Sequence, residues 1–107
     1  KAHECFEHLY YQIPMELFFN KNYRDKLNSD SKILYGFLLN RLTLSAKNNW
    51  IDENGNVFLI FTRKEVQKIL NLSDKTATKA FKQLNECKLI HEKKQGANKP
   101  NLIYVGK

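Results

Sequence analysis

The spacing of apolar residues predicts one long helix in the first half of the chain. Apolar side chains recur at intervals of three and four residues, the period of an α-helix: Ile33, Leu34, Tyr35, Phe37, Leu38, Leu39, Leu42 and Leu44. The apolar stripe is so wide that little of the helix surface remains for solvent. With Ser29 as an N-cap, we expect this helix to end near Lys47 and to form the centre of the core.

The chain before this helix begins with an apolar segment. Residues 1–13 mix aromatic and aliphatic side chains with scattered charge, and we expect an arm or an edge strand there, ahead of a domain of residues 14–107. Pro14 favours the first turn of a short helix that ends near Phe19. Residues 20–28 are polar and lead into the long helix.

A β-hairpin is predicted from Trp50 to Phe61. Asn54 and Gly55 stand between two short runs, and this pair suits the positive φ angles of a type I′ turn. Residues 57–61 are apolar throughout, so we expect the second strand to be covered on both faces.

The next segment predicts a short helix with a specific start. Thr62 and Glu65 have capping-box spacing, in which the Thr hydroxyl accepts from the Glu amide and the Glu carboxylate accepts from the Thr amide. The helix is expected to run to about Leu70 and to bury Val66, Ile69 and Leu70.

A tight turn and a longer helix follow. Asn71 can adopt the left-handed backbone that most residues resist, and Ser73 can cap a helix from about Asp74 to Cys87. One face of this helix is apolar: Ala77, Ala80, Phe81 and Leu84. The opposite face is polar and mostly basic: Lys75, Thr78, Lys79, Lys82 and Glu86. This is the helix-turn-helix arrangement, although an ordinary pair of packed helices with a basic face would share the pattern.

Two short runs at the end of the chain predict a second hairpin. Residues 89–93 and 101–105 are typical of β-strands, and residues 94–100 separate them. A hairpin directly after a helix-turn-helix is a wing. Its tip carries amide and basic groups suited to phosphates and a groove edge: Lys93, Lys94, Gln95, Asn98 and Lys99. The predicted fold class is α+β, mainly α: a winged helix-turn-helix with an extra β-hairpin before the helix-turn-helix.

Composition limits the classes of protein. The 107 residues suffice for one domain, and 42% hydrophobic residues support a folded core. No apolar run approaches the roughly 18 to 20 residues of a membrane span, so we expect a cytoplasmic protein without a membrane partner. Cys5 and Cys87 lie far apart and outside any metal-binding spacing, so no metal and no cofactor is predicted. The chain starts at Lys1 rather than Met, as a segment of a longer protein would.

The net charge of +7 is concentrated in the second half of the chain. Residues 1–60 contain seven basic and seven acidic side chains, whereas residues 61–107 contain eleven basic and four acidic ones. A neutral half joined to a basic half suggests a scaffold with a surface for a polyanion, and nucleic acid is the commonest polyanion in a cell. A lysine-rich surface kept for solubility would carry the same charge.

Several stretches in a fixed order resemble one known family. They are residues 11–14 (YQIP), 31–36 (SKILYG), 47–56 (KNNWIDENGN), 75–77 (KTA) and 99–105 (KPNLIYV). From about Leu9 to Val105 the sequence resembles the amino-terminal domain of the RepA-type plasmid replication initiators of Gram-positive bacteria. The resemblance implies a winged-helix domain that binds repeated origin sites as a dimer. It also implies a carboxy-terminal domain in the full-length initiator, with host replication proteins as partners of parts outside this chain.

The sequence departs from this family's usual pattern at two places. Cys87 and Lys88 stand where relatives often carry a Gly before the first wing strand, so the sequence does not define the C-cap of the preceding helix. Asn98 stands where a second wing Gly is common. Because Asn tolerates left-handed geometry, we expect a stiffer wing tip that keeps its role.

The helix from about Asp74 to Cys87 is predicted to lie in the major groove of double-stranded DNA. The candidates for base contact lie in its first turns: Lys75, Thr76, Thr78 and Lys79. A lysine can bond guanine, and a threonine can supply a hydroxyl or meet a thymine methyl. The DNA backbone is expected to be held further along this helix and at the start of the preceding one: Lys82, Gln83, Arg63 and Lys64. The wing lysines would follow the adjacent minor groove or its phosphates.

No enzyme chemistry is predicted. Rolling-circle initiators cut DNA with a tyrosine and a metal held by two histidines on one strand, but His3, His8 and His91 are scattered. Two other functions fit the same residues: a winged-helix transcriptional regulator, and a winged-helix protein-interaction module without DNA binding. A regulator would differ only in the DNA that it binds. The position of the excess charge disfavours the interaction module.

A homodimer is expected to form through the aromatic amino-terminal arm. The apolar side chains of this arm, Tyr10 and Tyr11 among them, have no evident partner within a compact fold.

Overall fold

The computed structural model describes residues 10–48 and 50–106. The helices of these residues are α1 (Glu16–Phe19), α2 (Lys21–Arg24), α3 (Ser29–Lys47), α4 (Arg63–Leu70) and α5 (Asp74–Glu86). The strands are β1 (Leu59–Ile60), β2 (Ile90–Lys93) and β3 (Leu102–Val105). None of the helices in the described residues is both long and apolar enough to cross a membrane.

Helix α3 forms the centre of the core, as predicted. Its apolar stripe is narrower than expected, because Ile33 and Leu44 are 42% and 41% exposed. Leu34, Phe37 and Leu38 are fully buried. The N-cap is Asn28 rather than the predicted Ser29, because the Asn28 side-chain oxygen accepts from the Ser31 amide at 2.9 Å.

The chain before α1 crosses α3 at Gly36. A Cβ atom at Gly36 would lie 2.8 Å from Cγ1 of Ile13 and 3.2 Å from the carbonyl oxygen of Gln12, so only hydrogen fits there. The Tyr11 ring also meets the Phe37 ring edge-on at a centroid distance of 5.7 Å. Tyr11 and Ile13 thus have partners within the fold, contrary to the expectation from sequence. Residues 1–9 of the predicted arm lie outside the described residues.

Two short helices occupy the segment before α3. The helix predicted from Pro14 to Phe19 is present as α1, and the Pro14 carbonyl accepts from the Leu17 amide at 3.2 Å. The sequence gives no apolar period for α2. Its start is instead defined by Asn20, whose side chain accepts from the Asn22 amide at 2.9 Å.

The hairpin predicted from Trp50 to Phe61 is wrong in its turn and its second strand. Gly55 has a φ of 83°, but Asn54 keeps a negative φ, so the turn is not type I′. The Asp52 carboxylate accepts from the Asn54 and Asn56 amides, and these bonds replace the turn geometry that an Asn-Gly pair alone favours. Pairing between the two sides is limited to one bridge, between Ile51 and Val57.

The end of this apolar run pairs with the wing instead. The three strands form an antiparallel sheet in the order β1-β3-β2. Leu59 of β1 and Glu92 of β2 both lie opposite Ile103 of β3. Helices α3 and α5 pack against the sheet, and Leu59 and Ile103 are fully buried there. The fold is a mainly helical α+β winged helix, as predicted, with the extra hairpin reduced to a bridge.

Candidate nucleic-acid interface

The start of α4 is a capping box, as the sequence predicts. The Thr62 hydroxyl accepts from the Glu65 amide at 3.1 Å, and the Glu65 carboxylate accepts from the Thr62 amide at 2.9 Å. These two bonds satisfy backbone donors that a helix start leaves unpaired. The cap fixes the first turn of α4 and thereby the positions of the Arg63 and Lys64 side chains.

Only part of the predicted apolar face of α4 is buried. Val66 is fully buried and Leu70 is partly buried, but Ile69 is 42% exposed. Val66 and Leu70 lie one turn apart on the same face, whereas Ile69 is rotated by about 100° from Leu70. The expectation that Ile69 packs inward is wrong, because α4 rests on α5 along a narrow contact.

The turn between α4 and α5 has the predicted chemistry. Asn71 adopts the left-handed conformation with a φ of 55° and a ψ of 53°. The Ser73 hydroxyl caps α5 by accepting from the Thr76 amide at 3.1 Å. A three-residue turn with one left-handed residue sets the angle between two helices, so Asn71 and Ser73 together determine how α5 is presented.

Helix α5 separates an apolar face from a cationic face. The inward side chains are fully buried: Ala77, Ala80, Phe81 and Leu84. The predicted contact residues on the other side are exposed: Lys75, Thr78, Lys79 and Lys82. Thr76 is half-buried, and its hydroxyl oxygen accepts from the Ser73 hydroxyl at 2.8 Å. Successive exposed positions three or four residues apart form one continuous stripe along the helix.

The end of α5 is a Schellman motif. Lys88 has a φ of 60°, and its amide donates to the Asn85 carbonyl at 3.0 Å. The Leu89 amide donates to the Leu84 carbonyl at 3.0 Å, and both leucines belong to the core. A lysine therefore holds a left-handed position that glycine would adopt without strain. This motif leads the chain from α5 directly into the wing.

The wing tip presents its predicted contact residues to solvent. All of them are exposed: Lys93, Lys94, Gln95, Asn98 and Lys99. Asn98 has a φ of 64° and takes the left-handed conformation expected of it. The Gln95 side-chain amide donates to the Pro100 carbonyl at 2.7 Å, which closes the loop across its base.

Two predicted contact residues have partners within the protein. The Gln83 side-chain oxygen accepts from the Asn28 amide at 2.9 Å and from the Ser31 hydroxyl at 2.8 Å. The Arg63 guanidinium lies 3.7 Å from the Phe81 ring centroid and bonds the Glu92 carboxylate at 3.0 Å. Their contact with DNA stays a prediction.

Glu92 is a residue of this region that the sequence reasoning missed. Its carboxylate receives the Arg63 guanidinium from α4 and the Asn85 amide from α5, at 3.0 and 2.9 Å. The available signal was a single acidic residue in an otherwise basic hairpin. Such a residue calls for a cationic partner, and Arg63 provides it.

A second carboxylate secures the other side of the sheet. Asp52 accepts from the Tyr104 hydroxyl of β3 at 2.9 Å, besides its bonds to the turn amides. Hydrogen bonds from the Asn56 backbone amide, which has the larger effect, and from the Tyr104 hydroxyl lower the pKa of Asp52. The same hydrogen bond raises the pKa of Tyr104. This pair holds the loop before β1 against β3.

The described residues contain no group of three or more His, Cys, Asp or Glu side chains that could hold a metal. A shallow depression of about 820 Å³ lies between the end of α3 and β3, with Lys47 and Tyr104 on its rim.

The fold and the charged surface define a winged-helix domain, a class in which the second helix and the wing characteristically meet duplex DNA. Residues 9–107 match the family described as the N-terminus of replication initiator protein A (RepA). The chain belongs to this family, so the resemblance found in the sequence is confirmed.

Relatives and solved structures agree with this assignment. The chain is 30% identical over 103 residues to a "41 kDa protein" of Lactobacillus helveticus; the match covers 91% of this chain and 29% of that protein. The chain thus spans less than a third of this curated relative.

Three solved structures cover the whole of this chain. An "N-Terminal domain of DNA binding protein" is 38% identical with a TM-score of 0.86, and 81% of that chain is covered. A chain from "Structure of Rep-DNA complex" is 37% identical with a TM-score of 0.85, with 82% covered. A chain from "Structure of MDR initiator" is 40% identical with a TM-score of 0.84, with 84% covered.

Proposed function

We propose that this chain is the sequence-specific, duplex-binding domain of a plasmid replication initiator, that it recognises repeated origin sites, and that it acts in the cytoplasm. One observation carries the proposal: α5 buries Ala77, Phe81 and their neighbours while its opposite face exposes a stripe of lysines beside a basic wing. Family membership and the similarity to a chain from a Rep-DNA complex support it.

The exposed stripe of α5 is suited to the major groove. The groove, about 12 Å wide, admits an α-helix, and the amino-terminal turns of a recognition helix face the base edges. Lys75, Thr76, Thr78 and Lys79 lie in those turns. Lys79 is exposed and can bond guanine O6 and N7, so it is the main candidate for base discrimination. Lys82 lies one turn beyond and holds phosphate.

The backbone contacts come from lysines on three elements. Lys64 of α4, Lys82 of α5 and the wing lysines are exposed and have no acidic partner within 4.0 Å among the described residues. Arg63 and Gln83 remain proposed backbone contacts, and their bonds to partners within the protein also help to hold α4, α5 and the wing in place.

A salt titration tests the electrostatic part of the proposal. If about six of the predicted cationic contacts neutralise phosphates, a plot of log affinity against log salt has a slope of about −5. A selection from random duplexes, read by sequencing, is expected to recover one short motif. Recovery of this motif in tandem near a plasmid origin supports the initiator. Its recovery upstream of a gene, away from any origin, would favour a transcriptional regulator instead.

Absence of salt-dependent duplex binding would overturn the proposal and favour a protein-interaction module. The lysines would then serve solubility, and charge-reversal variants of α5 would leave partner binding unchanged.

The proposed activity is binding, without bond chemistry. Incubation of the chain with supercoiled plasmid and Mg²⁺ or Mn²⁺ is expected to leave the plasmid intact on a gel. Nicking that persists through purification would show an enzyme.

We also propose a homodimer that uses apolar side chains of the amino-terminal segment. Among the described residues, Tyr10, Met15 and Phe19 are the most exposed large apolar side chains, at 57% to 70%. Light scattering of the Met15→Ser/Phe19→Ser variant is expected to give the mass of a monomer. An unchanged dimer would exclude these side chains from the interface.

A further inference from the structure

One carboxylate joins four elements around the base of the wing. Glu92 belongs to β2, and its Oε1 accepts from the Arg63 guanidinium of α4 at 3.0 Å and from the Asn85 amide of α5 at 2.9 Å. Its Oε2 lies 3.5 Å from the side-chain amide of Asn101, just before β3. Both helices of the helix-turn-helix and both sides of the wing therefore meet at Glu92.

The charge of Glu92 is hidden from the exposed surface of the wing. It is the only acidic residue in the hairpin of residues 90–105, and its side chain is 12% exposed. A half-buried carboxylate is costly unless a cation and hydrogen-bond donors replace its water. Arg63 supplies the cation, and its own guanidinium is held 3.7 Å from the centroid of the buried Phe81 ring. A lysine in place of Arg63 could not both stack on the ring and donate in a plane.

We propose that Glu92 is a positioning residue for DNA recognition: it fixes the wing against α5, so that the wing lysines and the α5 lysines contact one duplex together. The inference rests on the proposed function. A two-stranded hairpin is marginally stable by itself, and β1 supports only the β3 side. On the β2 side, Glu92 directly precedes Lys93, so the Glu92 contacts restrain the strand that carries the first wing lysines.

Removal of Glu92 distinguishes a positioning role from a simple effect of its charge on DNA binding. Glu92→Ala deletes a negative charge next to a DNA-binding surface, so unspecific electrostatics alone would tighten binding and steepen the salt slope. Positioning predicts the opposite result. A wing that is free to move loses its phosphate contacts, and the three wing lysines account for about 2 to 3 units of the slope.

The experiment is a set of anisotropy titrations on one duplex at several salt concentrations. We expect Glu92→Ala to weaken binding and to lower the magnitude of the slope by about 2. Lys94→Ala lowers the slope by about 1 in the wild type, but causes no further change in the Glu92→Ala background. Lys79→Ala weakens binding similarly in both backgrounds. Glu86→Ala, which removes an exposed carboxylate from the end of α5, is the matched control for the loss of charge, and it does not lower the magnitude of the slope.

Glu92→Gln covers the case in which Glu92→Ala does not fold. The amide oxygen can still accept from Asn85, but the ion pair with Arg63 is lost, so a smaller change in the same direction is expected. Loss of folding alone would reduce the active fraction at every salt concentration without changing the slope. A steeper slope, or additive effects of Lys94→Ala and Glu92→Ala, would overturn the inference. A wild-type chain that binds no duplex would instead overturn the proposed function.

Discussion

The Ser31 hydroxyl donates a hydrogen bond of 2.8 Å to the side-chain oxygen of Gln83 and thereby ties the start of α3 to the middle of α5. The Asn28 amide donates to the same oxygen at 2.9 Å. Ser31 is fully buried, so this contact lies inside the molecule although Gln83 is on a helix with a cationic face.

Gln83→Ala is expected to lower the free energy of unfolding by about 1 to 3 kcal/mol, because it leaves the Asn28 amide without its acceptor. The Ser31 hydroxyl can then donate only to Asn28, whose carbonyl oxygen lies 2.9 Å away. Urea denaturation measures the change. Lys82→Ala, at the neighbouring exposed position, is expected to stay within about 0.5 kcal/mol of the wild type. Equal stabilities of the two variants would show that the Gln83 contacts contribute nothing.

Lys88→Gly is expected to stabilise the chain by about 0.5 to 1 kcal/mol. Lys88 is held at a φ of 60°, where a side chain is strained and glycine is not. Asn71→Gly is the control at a second left-handed position, and a smaller gain is expected there because Asn tolerates this conformation. A thermal unfolding series ranks the two variants. A loss of stability in Lys88→Gly would contradict the role of the Schellman motif.

Gly36→Ala is expected to destabilise the chain by about 1 to 3 kcal/mol, since the new Cβ would lie 2.8 Å from the Ile13 side chain. Asn40→Ala, at an exposed position of the same helix, should not destabilise the chain. Shortening Ile13 to Ala in the Gly36→Ala background should recover part of the loss. If the double variant shows only the sum of the single effects, the contact at this crossing is not the cause.

Stability is expected to fall at alkaline pH through Tyr35. Burial first, and the nearby Tyr23 second, raise the pKa of Tyr35, and its hydroxyl donates to the Gly106 carbonyl at 2.6 Å. Above about pH 10 the unfolded chain releases the phenol proton before the folded chain does. The contribution of Tyr35 to stability is therefore complete below that pH and is lost as the pH rises.

Urea denaturation at about pH 8 and about pH 11 checks this sign. Tyr35→Phe should lower stability at the lower pH by about 0.5 to 1.5 kcal/mol and should lose less on going to the higher pH. Tyr10→Phe, at an exposed position, should follow the wild type. A Tyr35→Phe variant with the full alkaline loss would assign that loss to other groups.

The sequence predicted those parts of the fold that local chemistry determines. The capping box at Thr62, the left-handed Asn71 and the apolar face that includes Phe81 depend on neighbouring residues and are confirmed. The turn at Asn54 was wrong because Asp52 offers the backbone a competing set of hydrogen bonds. The predicted pairing of Leu59 within a local hairpin was wrong, because its strand partner, Ile103, lies 44 residues further along the chain.

In the candidate site, too, only the features that depend on neighbouring residues could be predicted. The exposed stripe of α5 follows from helical periodicity and could be predicted directly from the sequence. The internal roles of Gln83 and Arg63 could not, because they depend on Ser31, Asn28 and Glu92 in distant parts of the sequence. Long polar side chains on a surface helix have the same appearance in a sequence whether they face solvent or a neighbouring element.

The most direct test of the account compares Lys79→Ala and Lys94→Ala on two duplexes, the selected motif and a scrambled sequence, by fluorescence anisotropy. Lys79→Ala is expected to cost about 1 to 3 kcal/mol on the motif and far less on the scrambled duplex, because it removes a base contact. Lys94→Ala is expected to weaken both duplexes alike, because it removes a phosphate contact. Unchanged affinity of both variants for the motif would contradict the assignment of α5 and the wing as the DNA-binding surface.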